Sequence, residues 1–235
     1  MKRKIIKRLA IIPAKGNSIR IKRKNIKLFF KKPIINYTID SALKSKLFNR
    51  IHVSTDSKII EKIVKKKGII TDFYRPKSLS GNKTPLIKVY EYVVNRYRKL
   101  NLDFDEIWAL MPCSPLINQS DLKKVSIFSK KMRQKKPIMS VSKFKSPIDW
   151  AYKINKNNVL KPVKSKYLMY RSQDLPERYY ETGQFVVYPG KYFKKNIKKN
   201  TEYQAYILPI LKSIDIDDIE DWKLAEVIYK NLKKI

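Results

Sequence analysis

Two hydrophobic patterns alternate along the first 143 residues of the chain. Short, mainly apolar runs are typical of strands buried in a parallel sheet, and the predicted strands are 9–13, 50–55, 69–74, 107–111 and 137–143. Stretches in which apolar residues recur every three to four positions are typical of helices that cover such a sheet. The predicted helices are 33–46, a second helix that Asp56 or Ser57 caps, 86–97 and 121–131. This alternation predicts an α/β fold with a doubly wound, mostly parallel sheet.

The alternation is interrupted between about residues 146 and 180. Within this segment, 149–154 and 159–162 have the pattern of a hairpin around Asn157 and Asn158, which favour turns. The α/β pattern resumes with predicted strands 184–188 and 204–208 and a final helix 218–234. We therefore expect residues 1–235 to form a single domain with an excursion at about 146–180.

The composition excludes several classes of protein. The chain has one cysteine, Cys113, and one histidine, His52, so a disulfide framework and a zinc cluster of cysteines and histidines are excluded. No run approaches the roughly 18 consecutive apolar residues of a membrane helix, and the apolar run after the basic N-terminus is too short for a signal peptide. We expect a cytoplasmic protein with no membrane partner, in which His52 is a core residue and Cys113 is inert.

The charge of the chain is strongly positive. It has 54 lysines and arginines against 20 aspartates and glutamates, a formal net charge of +34. Such a charge favours polyanions, and a basic nucleic-acid-binding protein is one interpretation. Nucleic-acid-binding proteins usually concentrate their charge on one element, however, whereas these lysines are spread along the whole chain. A diffusely basic surface is therefore favoured, and no nucleic-acid partner is expected.

The polar segment after the first predicted strand is rich in small residues and cations. Residues 10–25 read AIIPAKGNSIRIKRKN and follow the carboxyl end of a strand, which is where α/β sheets bind ligands. Backbone N–H groups and ammonium groups in such a loop can surround a triphosphate. The spacing is neither that of a Walker A loop nor GxGxxG. An ordinary solvated basic turn is the alternative.

A pair of aspartates precedes the final helix. In the sequence 213–218, SIDIDD, the alternation predicts a strand end with Asp215 and Asp217 on the same face. Mg²⁺ prefers one or two carboxylates together with substrate phosphates, so the pair is a candidate metal site. Capping of the final helix by Asp217 or Asp218 is an equally good interpretation, and both can hold together.

A third candidate segment joins residues 171–176, RSQDLP, to 181–185, ETGQF. Arginine suits the recognition of carboxylates, and glutamine supplies a donor and an acceptor for hydroxyl or amide groups. The alternative is an edge loop in which Arg171 forms a surface ion pair with Asp174.

These segments together resemble the sugar-acid cytidylyltransferases, which activate sialic-type acids with CTP. The resemblance rests on motifs that occur in the order of the family: residues 9–18 with Arg20, Lys24 and Asn25; VSTD at 53–56; Arg75-Pro76; MPCSP at 111–115; and Asp215-Ile216-Asp217. Residues 171–176 and 183–185 resemble the pseudaminic acid branch more than the neuraminic acid branch. The resemblance covers nearly the whole chain, from about Leu9 to the final helix.

The resemblance implies a Rossmann-like nucleotidyltransferase fold. It also implies a role for each of several site residues. Residues implied to bind the nucleotide CTP are Ala14, Lys15, Gly16, Asn17, Ser18, Lys24, Asn25, Arg75, Ser80, Asn82 and Met111. Residues implied to bind the sugar acid are Ser114, Arg171, Gln173, Tyr180, Gln184 and Phe185. Asp215 and Asp217 would hold Mg²⁺, and with Lys15 and Lys24 they form the implied catalytic set. The excursion at 146–180 would be a dimerisation arm of a homodimer.

The implied reaction is attack of the anomeric hydroxyl of a sugar acid on the α-phosphate of CTP. Pseudaminic acid is the first candidate, and neuraminic, legionaminic and deoxy-manno-octulosonic acids are alternatives. The chain departs from the usual family pattern at Lys15, where arginine is usual, at Ile19, where lysine or arginine is usual, and at Asn82, where aspartate is common. It departs from the pseudaminic branch at Tyr180 and Glu181, where histidine and aspartate tend to stand.

Overall fold

A central sheet with helices on both faces forms the body of the protein. The computed structural model describes residues 5–133, 135–194 and 202–232. The strands in these residues are β1 Arg8–Pro13, β2 Leu28–Phe29, β3 Lys32–Pro33, β4 Arg50–Ser54, β5 Glu106–Leu110, β6 Ile138–Lys143, β7 Tyr152–Ile154, β8 Leu160–Pro162, β9 Tyr179–Pro189 and β10 Gln204–Ile207. The helices are α1 Ile35–Ser45, α2 Lys58–Lys65, α3 Leu86–Lys99, α4 Gln119–Lys131 and α5 Ile219–Leu232.

Six of these strands form the central sheet, in the order β10-β6-β9-β5-β1-β4. β9 is antiparallel to both of its neighbours, and the other neighbouring pairs are parallel. The prediction of an α/β fold with a mostly parallel sheet is confirmed. The hydrophobic pattern could not show the direction of β9, because the side chains of a buried strand alternate in the same way in either direction.

Side chains of β1 show how the core is divided between the two faces of the sheet. Ala10 and Ile12 contact a cluster that includes residues of α1, α2 and α4, whereas Leu9 and Ile11 contact a cluster that includes α3. Successive side chains of a strand point to opposite faces, so one short apolar run supplies both layers. All four side chains are fully buried.

Three local predictions are wrong. Residues 69–74 do not form a strand: Ile69 and Phe73 are buried against the core from a segment outside the sheet, and this burial accounts for the apolar pattern. Residues 213–217 precede α5 without pairing in the sheet. The helix predicted from residue 33 begins at Ile35, because Pro33 belongs to the β2–β3 hairpin. The predicted end of the last helix, 233–234, lies outside the described residues.

The excursion contains the predicted hairpin, formed by β7 and β8 as a separate two-stranded sheet. Several of its apolar side chains are exposed, among them Ile154, Leu160 and Met169. In the described part of the chain, no helix is both long enough and apolar enough to cross a lipid bilayer.

His52 is a satisfied core residue, as predicted. It is buried in β4, stacks on Phe73 with ring centroids 4.5 Å apart, and lies with Nδ1 3.2 Å from the hydroxyl of Tyr97. Burial, and then the charges of Arg50 and Arg75, lower the pKa of the imidazole to about 3. The folded protein therefore keeps His52 neutral at pH values at which an unfolded chain protonates it.

This burial predicts a pH-dependent loss of stability. Below pH 6.5 the unfolded chain binds a proton at His52 that the folded chain does not bind, so the stability that is complete above pH 6.5 is lost as the pH falls toward 3. Between pH 4 and 6, the free energy of unfolding of His52→Gln should therefore depend on pH less steeply than that of the wild type, by about 1.4 kcal/mol per pH unit. Urea denaturation at several pH values measures both slopes, and equal slopes would contradict the prediction.

Candidate functional site

The loops that follow β1 and β5 and the loop that precedes α3 meet the segment before α5 around a cavity of about 470 Å³, which we call the loop cavity. Its wall includes most of the residues predicted to bind the nucleotide and both aspartates predicted to hold a metal. They are Lys15, Ser18, Lys24, Asn25, Arg75, Asn82, Met111, Asp215 and Asp217. The structure thus brings the cationic turn near the start of the chain and the carboxylates near its end to one cavity.

Ala14, Asn17 and Ser80, also predicted to bind the nucleotide, do not line the loop cavity. Ala14 is fully buried, and Asn17 is exposed. The hydroxyl of Ser80 donates a hydrogen bond to the carbonyl of Pro76. These three side chains therefore lie beside the cavity-forming loops and not in the wall of the cavity.

Hydrogen bonds within the protein fix the shape of residues 14–25. The N–H of Gly16 donates to Asp56 at 2.7 Å, so Gly16 holds the loop against the start of α2 and does not line the cavity. The side chain of Asn25 donates to the carbonyl of Lys15 at 2.9 Å, and the ammonium of Lys15 donates to Asn82 at 2.6 Å. The last bond joins this loop to the loop that precedes α3.

Arg75 supplies a fixed positive charge in the wall of the loop cavity. Its guanidinium is buried and donates to the hydroxyl and the carbonyl of Ser54, at 3.2 and 2.7 Å. Burial lowers the pKa of this group, and the charge of Asp56 opposes that effect. A guanidinium nevertheless stays charged at neutral pH, so Arg75 presents a rigidly held positive charge to the loop cavity.

Asp217 lies between two cations of the first loop. Its carboxylate accepts from Arg20 at 2.7 Å and lies 3.4 Å from the ammonium of Lys24, which also donates to the carbonyl of Ile216. Arg20 lines the loop cavity as well, although the sequence did not assign it a site role. These contacts position the cations beside the carboxylate pair.

Asp218, rather than Asp217, caps α5. Its carboxylate accepts from the N–H groups of Glu220 and Asp221 at 2.9 and 3.0 Å. The carboxylate of Asp221 in turn accepts from the N–H of Asp217 at 2.9 Å. The side chain of Asp217 is therefore directed to the cavity while its neighbour satisfies the helix.

Asp215 approaches the backbone of Gly183 closely. A Cβ atom at Gly183 would lie 2.4 Å from a carboxylate oxygen of Asp215, and Gly183 has φ of +63°. A Cβ at this position would therefore strain the backbone and push the carboxylate away. Gly183 is one of five glycines in the chain, a scarcity that is the sequence signal for this position.

The environment of Asp215 disfavours its charged form. The side chain is open to solvent through the cavity, but surrounding protein atoms, and then the charge of Asp217, raise the pKa of its carboxyl to about 6. Lys24 opposes this effect. No described residue forms a hydrogen bond or an ion pair with the Asp215 carboxylate. A bound cation would therefore stabilise the ionised form of Asp215.

Asp215 and Asp217 suit a hard divalent cation that takes its other ligands from a substrate and from water. Two carboxylates face the cavity, and the described residues contain no cluster of three or more histidine, cysteine, aspartate or glutamate side chains. Mg²⁺ keeps several water or phosphate ligands and needs only one or two carboxylates. Asp215 and Asp217 can hold such an ion beside the cations that would bind phosphates.

A second cavity of about 370 Å³ adjoins the loop cavity and shares Leu86, Met111 and Asp215 with it. We call it the strand cavity, because β9 forms much of its wall. The other residues that line it are Ile87, Tyr90, Ala109, Glu181, Gly183, Phe185, Val186 and Tyr188. Of these residues, only Phe185 was predicted to bind the substrate, since Tyr90 follows the apolar stripe of α3 and could not be distinguished from the core.

The other substrate residues predicted on β9 and in the turn after β5 do not line the strand cavity. Gln184 is buried and donates to two backbone carbonyls at 2.8 and 2.9 Å, so it holds the segment before Asp215 in place. The hydroxyl of Tyr180 lies 3.0 Å from that of Ser213. Ser114 is buried.

Arg171 and Gln173 lie on the excursion and are exposed. The guanidinium of Arg171 pairs with Asp174 at 2.8 Å, the surface ion pair that the sequence offered as an alternative. Neither side chain lines the loop cavity or the strand cavity.

Cys113 is inert in this setting, as predicted. It lines the loop cavity, but burial raises the pKa of its thiol to about 12. The reactive thiolate is therefore scarce at neutral pH.

Comparison with known proteins identifies the family. A profile of the cytidylyltransferases matches residues 9–235. The chain belongs to the cytidylyltransferase family. It is 32% identical to the pseudaminic acid cytidylyltransferase of Campylobacter jejuni over 96% of this chain and 97% of that protein. It is 29% identical to the CMP-N,N'-diacetyllegionaminic acid synthase of Legionella pneumophila, over 93% and 94%.

The fold of this cytidylyltransferase resembles that of a solved structure, CMP:2-keto-3-deoxy-manno-octonic acid synthetase complexed with CTP. The TM-score is 0.67, with 13% identity, and the match covers 97% of this chain and 100% of that one. This likeness and the sheet order support the predicted Rossmann-like fold. The family makes the protein a nucleotidyltransferase.

The contact between Gly183 and Asp215 predicts the effect of a single methyl group. Gly183→Ala should lower CTP turnover by about 100-fold, because the new Cβ must displace the carboxylate and small displacements of reacting groups cost that much. Gly68→Ala is the matched control, since Gly68 also has positive φ, +74°, but a Cβ there meets no atom within 4 Å. Both variants should lose similar stability, roughly 1 kcal/mol, from the backbone conformation. Equal turnover in the two variants would contradict a role for this contact.

Proposed function

We propose that this cytidylyltransferase transfers cytidine monophosphate from CTP to an acylated nonulosonic acid, with pseudaminic acid as the first candidate. The proposal rests chiefly on the convergence of Lys24, Asp215 and Asp217 on one cavity. The similarity to the Campylobacter jejuni enzyme over nearly the full length of both chains supports the choice of acceptor. Legionaminic acid is the second candidate, on the lower identity to the Legionella pneumophila enzyme.

The loop cavity would hold the nucleotide. Lys15, Lys24 and Arg75 provide three positive charges for the triphosphate, and Arg75 is already held rigidly by Ser54. Fixed cations need little reorganisation as charge develops on the leaving group. Lys15 and Lys24 would neutralise the pyrophosphate that leaves.

Asp215 and Asp217 would hold Mg²⁺. A bound Mg²⁺ supplies charge neutralisation at the phosphate oxygens and thereby lowers the barrier to substitution. Arg20 and Lys24, which pair with Asp217, would turn toward the phosphates as the ion takes their place at the carboxylate.

The strand cavity would hold the acceptor. It shares Asp215 and Met111 with the loop cavity, so an acceptor there would lie beside the nucleotide. The anomeric hydroxyl would attack the α-phosphate, a new phosphorus–oxygen bond would form, and the bond to the pyrophosphate would break. Positioning of the two substrates would supply much of the rate.

The excursion would join two copies of the chain. It exposes Ile154 and Leu160 of the hairpin and Met169 beyond it, whose burial against a second copy would be favourable. Arg171 and Gln173 lie outside the cavities of their own chain, so they would contact the acceptor only in such an assembly. CTP as substrate and the single unpaired cysteine fit the expected cytoplasmic location.

Turnover of the purified protein tests the function. With CTP and Mg²⁺, pyrophosphate release should require a sugar acid, and the CMP-sugar should be identified by mass and NMR. Pseudaminic acid should give the highest kcat/KM in a panel with legionaminic, neuraminic and deoxy-manno-octulosonic acids.

Sedimentation of the same preparation should show a dimer. Absence of pyrophosphate release with every acid, together with salt-dependent binding to nucleic acid, would instead favour a nucleic-acid-binding protein.

Asp217 and Asp218 separate the metal role from the capping role. Asp217→Ala should lower turnover by about 100-fold or more, because the metal loses one of its two protein ligands. Its stability should change little, since the ion pairs of Asp217 are exposed. Asp218→Ala, the matched control, should lose about 1 kcal/mol of stability with the helix cap and keep its turnover. Activity near that of the wild type in Asp217→Ala would refute the metal role.

A further inference from the structure

The strand cavity differs from the loop cavity in charge. Lys15, Arg20, Lys24 and Arg75 line the loop cavity, whereas the described residues that line the strand cavity include no cation. The charged side chains of the strand cavity are Asp215, at the shared boundary, and Glu181. In a chain with a net charge of +34, this cavity is a local exception.

Glu181 is free to contact a ligand. It lies in β9 two residues before Gly183, so both line the same cavity, and its side chain is exposed. Among the described residues, none forms a hydrogen bond or an ion pair with its carboxylate. Burial raises the pKa of the Tyr90 and Tyr188 phenols, and the nearby charge of Glu181 adds to the effect at both. At Tyr90 the charge of Arg75 lowers the phenol pKa and opposes the smaller effect of Glu181.

The difference in charge between the two cavities favours one orientation of a bound anionic acceptor. A carboxylate placed beside Glu181 would meet like charge, and the described residues that line the strand cavity include no cation to offset it. The same carboxylate near the shared boundary lies beside the cations of the loop cavity and the uncapped first turn of α3, whose residues Leu86 and Ile87 line the strand cavity. The end of the acceptor remote from its carboxylate then points to Glu181.

The remaining walls describe what that remote end carries. Leu86, Ile87 and Val186 are apolar, which suits methyl groups. A lone ionised carboxylate accepts hydrogen bonds but donates none, so it favours N–H or O–H groups. A group with a methyl and an N–H, as in an acylamino substituent, fits both features.

We propose that Glu181 selects the acceptor by accepting a hydrogen bond from an amide N–H or hydroxyl remote from the carboxylate of the sugar acid, and by repelling acceptors that carry a second negative charge there. This inference rests on the proposed function and extends it, because it assigns the specificity of the strand cavity to one side chain. Glu181 is a specificity-determining residue in this account, and the chemistry at phosphorus does not require it.

Steady-state kinetics of Glu181→Gln and Glu181→Ala test the inference, with both substrates varied. Loss of a charge-assisted hydrogen bond should raise the KM of the best acceptor by about 10- to 100-fold. The KM of CTP and kcat should stay within about twofold to threefold of the wild type, because the loop cavity is unchanged. Glu177→Gln is the matched control: it removes the same charge from an exposed glutamate near the start of β9 that pairs with Lys143 outside the cavity.

Analogues of the acceptor provide a second readout. An analogue that lacks the remote N–H or hydroxyl should be used equally well by the wild type and Glu181→Ala, because neither can form the bond. Calorimetric titration of the acceptor into protein saturated with a non-hydrolysable CTP analogue should show the same loss of affinity without turnover.

The outcomes separate this inference from the proposed function. If the wild type turns over CTP with a sugar acid and both Glu181 variants keep its acceptor KM, the inference is overturned while the function stands. If the wild type turns over CTP with no acid in the panel, both are overturned. A rise in acceptor KM that Glu177→Gln reproduces would also overturn the inference, since it would reflect surface charge alone.

Discussion

The close packing of Asp215 on the backbone of Gly183 is the contact on which the site depends. It places a carboxylate from the segment before α5 at the end of the central sheet, where β9 lies between β5 and β6. Gly183 lies next to the irregularity in the pairing of β6 with β9, and its positive φ belongs to that departure from regular strand geometry. Gln184 secures the same segment by donating to the carbonyl of Ile214. Asp215 consequently faces both cavities, and any reaction between their ligands would occur beside it.

Charge is distributed around this contact in a way that a net charge of +34 does not suggest. The cations of the first loop are held beside Asp217, so in the unliganded protein the carboxylate and the cations neutralise one another. Asp215 has no such partner among the described residues and gains most from a divalent cation. The strand cavity, by contrast, is lined by two carboxylates and, among the residues that the structure describes, by no cation. The two adjoining cavities therefore differ in charge. Four cations line the loop cavity, whereas the charged residues described in the strand cavity are both carboxylates.

The sequence predicted the parts of this arrangement that depend on local pattern or on motifs. Apolar runs located β1, β4, β5 and β6, because a strand buried on both faces leaves an uninterrupted signal. The same pattern gave a wrong prediction of a strand at 69–74, where Ile69 and Phe73 are buried without pairing in the sheet. The resemblance to a family identified Lys24, Asp215 and Asp217, which the structure brings together. The third candidate segment contained Glu181 without assigning it a role, and the apolar stripe of α3 did not distinguish Tyr90 from the core, because the placement of both residues depends on how α3 and β9 meet across the sheet.

The central claim is that the first loop and the two aspartates act on a single nucleotide. A crystal structure with Mn²⁺ and a non-hydrolysable CTP analogue measures this directly, because the anomalous signal of manganese locates the metal independently of the nucleotide. The account predicts a manganese peak bound by Asp215 and Asp217, with the triphosphate contacting the ion and the ammonium groups of Lys15 and Lys24. A nucleotide bound outside the loop cavity, or a metal peak that neither aspartate touches, would contradict it.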